Sequence, residues 1–403
     1  MRKSLLLLYI LVFASFTDLT TFTMEKFGIP AAPILFLLAA GVLLFEMSTS
    51  ESYPLLSCRD PRTYVVTAFF LVYLTMGSIH ADLGEAYYDI YMLLIGYFIF
   101  QLVSLSVRSR EELDGILLTI LLCAPVLTLQ GVYEFYLAVL SGGFEGYFRA
   151  GGWWPGPNEY AFVMCLVYLT SFYFLGRDEK TLRGAGYLSQ LCACAGILLS
   201  LSRGGLLTFL LISLLHWRIF WRRKGYLAVS LLLVVVVYLV VFANVFNVEV
   251  FNSIPAERLF ISSGLEGSDF SNGRFQAAIG GLLIYAQHPL TGVGFGNILV
   301  YADAINYYKT YSHNMFIEIM AVTGTLPLLF YLFMLGYLWH TAPKSAGADG
   351  AMERMLRGYI VVIVAMGIFA HYLLLMKPLW ILLAFFPAHS QLRNKREPGN
   401  QHY

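Results

Sequence analysis

The residues of this chain that could do chemistry stand at the edges of apolar runs. His313 and Asn314 open "SHNMFIEIMAVTG", with nine residues between Asn314 and Gly324. Arg203 follows Ser202 in "LSLSRGGLL". Arg274 follows Ser271-Asn272-Gly273, and Arg149 leads "RAGGWWPGPNEYA", in which Asn158 and Glu159 follow Pro157. Histidine exchanges a proton near neutral pH and so suits a general base. Arginine stays charged and can hold the paired oxygens of a diphosphate in two parallel hydrogen bonds. Asn158-Glu159, Ser202-Arg203 and His313-Asn314 each precede an apolar run, and Arg274 precedes an amphipathic one. Helix starts expose unpaired N–H groups and a partial positive charge, so together with arginines they favour an anion. The ligand expected from these residues is anionic and membrane-associated, and a diphosphate fits.

The elements that must position these residues are set by composition. Of 403 residues, 58% are hydrophobic and only 13% charged, and the mean hydropathy is +0.68; a soluble domain carries about a quarter charged residues. Each bilayer crossing takes roughly 17–25 mostly apolar residues. The runs predict about twelve transmembrane helices at 4–22, 30–47, 63–80, 87–107, 116–140, 159–176, 185–201, 204–217, 226–247, 314–340, 358–375 and 379–390, each near that length. Strict strand alternation is absent, which argues against an outer-membrane barrel. No small-x-small cleavage site follows the first run, so it reads as an uncleaved helix rather than a signal peptide. The chain is expected to be one integral membrane domain over 1–403, with a large periplasmic loop at 248–313 and a cytoplasmic tail at 391–403. Within that loop, Phe275, Ala278, Ile279, Leu282 and Leu283 recur at helical spacing, which predicts an interfacial helix.

Lys and Arg accumulate in cytoplasmic loops. With the N-terminus inside, 19 of the 26 basic residues fall on the cytoplasmic side and both termini are cytoplasmic. The exceptions are Lys26, Arg149, Arg203, Arg258, Arg274, Lys309 and Lys377. Arg149, Arg203, Arg274 and His313 thus share the outer face under a topology fixed without them. A net charge of +1 argues against nucleic acid as partner.

Other features have plainer readings. Arg258 and Lys309 read as solvated loop charges, His288 as a turn residue, and Trp153 and Trp154 as interface anchors before sugar platforms. "GVGFGN" lacks a preceding strand, so a dinucleotide site fails; a turn approaching the ligand is the weaker alternative. Cys123, Cys165, Cys192 and Cys194 read as packing residues. Glu318 lies five positions after His313, about 140° around a helix, which argues against direct pairing and places it toward the bundle interior.

"RAGGWWPGPNEYA", "LSLSRGGLL", "GRFQAAIGGLLIYAQHPLTGVGFGN" and "SHNMFIEIMAVTG" resemble, in order and spacing, the bacterial O-antigen ligase and O-antigen polymerase family. The resemblance is specific from about Arg149 to Leu328. Its histidine, asparagine and glycine fall on His313, Asn314 and Gly324; Pro327 stands where relatives carry a small residue. The resemblance implies the C-type glycosyltransferase membrane fold and an inverting transfer that needs no metal or other cofactor. The donor would be a glycan on undecaprenyl diphosphate, and the acceptor a hydroxyl of lipid A-core or of a growing glycan. His313, Arg203 and Arg274 are the candidate catalytic residues; Arg149, Asn158, Glu159, Ser202 and Asn314 are candidate substrate-binding residues. Ligase and polymerase share this donor chemistry. A transporter or lipid-linked glycan flippase is the reading from another class, and it would carry its charges along a path inside the helices.

Overall fold

The computed structural model describes residues 2–28, 31–49, 60–140, 150–216, 274–304, 311–342, 347–370 and 372–396. Arg149, Arg258, Lys309, the expected ninth helix at 226–247 and the loop residues 248–273 lie outside them. The described residues form helices and no strand. In chain order these are α1 Lys3–Phe16, α2 Leu19–Phe27, α3 Ala31–Thr49, α4 Pro61–Ser78, α5 Leu83–Ser106, α6 Arg110–Leu140, α7 Pro157–Leu175, α8 Lys180–Leu199, α9 Arg203–Leu215, α10 Arg274–Gln287, α11 Ile298–Ala304, α12 Met315–Thr323, α13 Thr325–Thr341, α14 Gly347–Gly367 and α15 Lys377–Arg396. A 3-10 turn, Tyr372–Leu375, joins the last two.

The chain is a helical membrane protein. Among the described residues, Leu83–Ser106, Arg110–Leu137, Pro157–Leu175 and Lys180–Leu199 are long and apolar enough to cross a bilayer, and Lys3–Phe16, Pro33–Glu46, Arg203–Leu215 and Phe275–Gln287 are shorter apolar helices.

α7 is the pole of the bundle. Every residue from Asn158 to Leu175 is buried, as expected for a helix apolar on all sides. It packs against α6, α8, α9 and α14. Close contact is obtained with small residues: a side chain at Gly196 of α8 would meet Met164 and Tyr160, and one at Gly205 of α9 would meet Ala161. Between apolar helices in lipid such close packing replaces the hydrophobic drive of a soluble core. α15 is the second pole, buried from Leu379 to Ala388 against α5 and α1.

Two expected helices are broken. The run 4–22 divides at Asp18, whose left-handed φ of 47° begins α2. The buried Asp18 carboxylate pairs with Lys377 Nζ at 3.5 Å, which gives that exception to the charge bias a structural role. The run 314–340 divides at Gly324, where φ 86° and ψ −172° fall in a region essentially restricted to glycine. The chain there folds back: Tyr331 Oη donates to Met315 Sδ at 3.7 Å, whereas sixteen residues of continuous helix would span about 24 Å. Pro327 is accommodated because it falls in the first turn of α13, where its missing N–H would have no partner anyway. α15 also continues through Arg396, past the expected helix end at 390.

Basic residues gather at one end. Arg2 pairs with Glu112 at 2.7 Å, Arg62 donates to Thr341 O at 2.6 Å, Arg177 pairs with Asp114, and Arg393 approaches Glu353 at 3.9 Å. The starts of α7, α9 and α12 lie at the other end.

Candidate functional site

At that end the residues beside Arg203 and His313 are tied to one short segment following α14. Ser202 Oγ caps α9 by accepting from Gly205 N at 3.1 Å, and donates to Asn158 Oδ1 at 2.8 Å. Asn158 Nδ2 reaches Phe369 O at 3.5 Å. The adjacent carbonyl, Ile368 O, lies 3.4 Å from Asn314 Nδ2. Asn314 Oδ1 accepts from the N–H groups of Phe316 and Ile317 at 3.0 and 3.1 Å, an asparagine cap on α12. Three helix starts therefore converge on residues 368–369. The approach is tight at Gly204, where a Cβ would stand 2.7 Å from Phe369 Cβ.

Ser202 and Asn158 are buried, Arg203 is exposed and His313 half-buried. Glu159 is buried in the first turn of α7, below the Gly156 N-cap. The backbone just ahead of two of the caps is unusual: Leu201 has φ 49° and His313 φ 52°. Left-handed conformations cost a bulky residue about 1–3 kcal/mol and cluster at functional sites.

The turn bearing His313 is held from below by Glu318. Glu318 Oε2 accepts from Ser312 N at 3.2 Å and from Ser312 Oγ at 2.7 Å. Ser312 Oγ in turn accepts from Asn314 N at 3.3 Å. Glu318 is buried, as expected for a carboxylate at this depth, and it serves the histidine turn through its serine neighbour. This link is not visible in helical periodicity, because Ser312 precedes the helix.

α10 packs across the start of α12: a Cβ at Gly281 would meet Ile317 Cγ2 at 2.6 Å and Ser312 Cβ at 3.2 Å. Arg274 opens that helix, seven residues from Gly281 and so about 10 Å along the axis. The segment after α10 supports the fold-back. Val293 N and Gly294 N donate to Ala321 O and Val322 O, both at 2.9 Å, Thr325 N donates to Pro289 O at 3.0 Å, and Phe295 N donates to Gly77 O at 2.8 Å. Asn297 Nδ2 donates to His80 O at 2.6 Å. The three glycines of "GVGFGN" thus approach protein backbone, at Val322, His80 and Ala86. His288 stacks edge-on against Tyr301 at 5.1 Å, consistent with a turn role.

The loop leading into α7 is fixed by Glu134, missed in the sequence, whose Oε2 accepts from Gly151 N and Gly152 N at 3.0 and 3.1 Å. Trp154 is buried in this loop rather than laid on the surface as an anchor.

Residues 188–332 match the family model described as O-Antigen ligase. Over that span the chain is similar to the O-antigen ligase family. The matched segment runs from α8 into α13 and contains Ser202, Arg203, Arg274, His313, Asn314, Glu318 and Gly324; Arg149, Asn158 and Glu159 precede it. No curated protein matches the chain. The match supports an assignment of the O-antigen ligase or polymerase kind, whose members are membrane glycosyltransferase-like enzymes, and does not distinguish the two.

Proposed function

We propose that the chain transfers a glycan from undecaprenyl diphosphate to an acceptor hydroxyl of lipid A-core, at the periplasmic face of the inner membrane, in a bundle of about twelve helices of the C-type glycosyltransferase kind. Arg203 and Arg274, with Arg149, take the diphosphate. Asn158, Glu159 and Ser202 shape its seat at the starts of α7 and α9. His313 accepts the proton of the acceptor hydroxyl as its oxygen attacks the anomeric carbon. The anomeric carbon–oxygen bond breaks, the diphosphate leaves with the electron pair, and configuration inverts. The arginines neutralise charge as it develops, an electrostatic contribution that covalent chemistry does not have to supply.

The observation that carries this reading is the convergence on residues 368–369, which brings the helix starts bearing Arg203 and His313 together in a chain whose residues 188–332 match the O-antigen ligase model. An O-antigen or exopolysaccharide polymerase, using a second lipid-linked repeat unit as acceptor, would need the same donor residues. Transport is disfavoured because the site residues cluster at helix starts rather than along a path.

The test is reconstitution of the full chain in lipid nanodiscs with a glycan on undecaprenyl diphosphate and each acceptor in turn. Transfer to lipid A-core with release of undecaprenyl diphosphate supports the ligase. Transfer only to a second lipid-linked unit makes the chain a polymerase. An intact donor with both acceptors overturns the proposal.

A further inference from the structure

We infer that Glu318 is a positioning residue for His313, acting through Ser312. The inference rests on the reading of His313 as the acceptor's base. One oxygen, Oε2, receives both the backbone N–H of Ser312 at 3.2 Å and its hydroxyl at 2.7 Å. That fixes the residue immediately before the histidine. On the other side Asn314 is fixed by its cap bonds to Phe316 and Ile317 and by its N–H to Ser312 Oγ. His313 is therefore the middle residue of a turn whose two neighbours are both tied to the first turns of α12, and its left-handed φ of 52° is the conformation those ties enforce.

Burial makes the arrangement stiff. Ser312 is 2% and Glu318 9% exposed, and α10 closes over Ser312 at Gly281, so water has little access to replace the Ser312–Glu318 bonds. A hydrogen bond in such surroundings is electrostatically stronger than one exposed to water. An imidazole that must meet an acceptor hydroxyl within hydrogen-bond reach loses rate steeply when displaced by about 1 Å. Glu318 needs only an acceptor oxygen for this task; it does not need to gain or lose a proton during transfer.

Four variants assayed for glycan transfer in the full chain separate this from other roles. Glu318→Ala should lower kcat by about 10-fold or more with the KM for the lipid-linked donor within about threefold of wild type. Glu318→Gln keeps an acceptor oxygen at the same reach and should recover most of that kcat. Ser312→Ala, which removes the hydroxyl's bonds to Glu318 and Asn314 but keeps the backbone N–H bond to Glu318, should fall between them, again with donor KM unchanged. Wild-type kcat in Glu318→Ala, or equal losses in the Ala and Gln variants, would overturn the inference; should Glu318→Ala fail to fold, wild-type kcat in Ser312→Ala does so instead. His313→Ala is the fourth variant: full transfer by it sinks the base assignment itself, whatever Glu318 does.

Discussion

His313 combines an unfavourable backbone conformation with a position just outside a helix cap. Its φ of 52° presents the imidazole ahead of the α12 N-terminus instead of continuing the helix. Loss of a positioned general base costs about 10²–10⁴-fold, so His313→Ala should lose transfer on that scale while its membrane level, read by immunoblot of isolated membranes, stays at wild type. Arg203 makes a different prediction. Lysine keeps the charge but not the planar fork that grips two phosphate oxygens. Arg203→Lys should retain a minor fraction of transfer and Arg203→Ala should lose about 10²–10³-fold, measured as release of undecaprenyl diphosphate. Equal activity of the Lys variant and wild type would reduce Arg203 to a point charge.

Among the elements, the pair α12–α13 decides how the site is built. One apolar run from 314 to 340 reads as a single crossing, because hydropathy is blind to a reversal at one residue. The reversal is made at Gly324, where a Cβ would stand 2.2 Å from Leu290 O and the backbone angles suit glycine alone. Gly324→Ala should therefore cost more than about 2 kcal/mol, seen as a lowered Tm in detergent. Gly336→Ala, in the middle of α13 with nothing within 4 Å, should be neutral or stabilise by up to about 1 kcal/mol. A similar Tm for both would mean that the fold-back is not enforced there. The spacing from His313 to Gly324 was legible in the sequence as a motif, but its physical content was not: it is the length of a short helix closed by an obligatory reversal. The same holds for Glu318. The 140° separation correctly argued against stacking on one helix face, yet the working contact runs to Ser312, whose position depends on the turn. Asn158 and Ser202 were legible as helix starts; that they bond to each other across two helices required the fold.

At the scale of the whole molecule, charge bias and apolar runs carried most of the architecture. Arg2, Arg62, Arg177 and Arg393, assigned together from the sequence, do gather at one end of the bundle, and the His313 turn lies at the other. The buried Asp18–Lys377 pair could not have been read from residues so far apart. Removing one partner leaves a buried charge, so Lys377→Met should destabilise by about 3–5 kcal/mol, and Asp18→Asn added to it should restore most of that loss; asparagine also tolerates the left-handed backbone. Thermal unfolding of the single and double variants checks this, and equal Tm values for the two would dismiss the coupling. Single cysteines at positions 203 and 313 should react with an impermeant thiol reagent from the periplasmic side of intact cells. Labelling only after the cytoplasmic side is opened would invert the proposed topology.

The proposed glycan transfer uses His313 and Arg203 together. Its most direct test is a single-turnover assay in nanodiscs, with the glycan on undecaprenyl diphosphate saturating and the productive acceptor supplied, comparing the full chain with its His313→Ala variant. Transfer slowed at least about 100-fold, with donor binding unchanged, is the result expected. Transfer at the wild-type rate would contradict it.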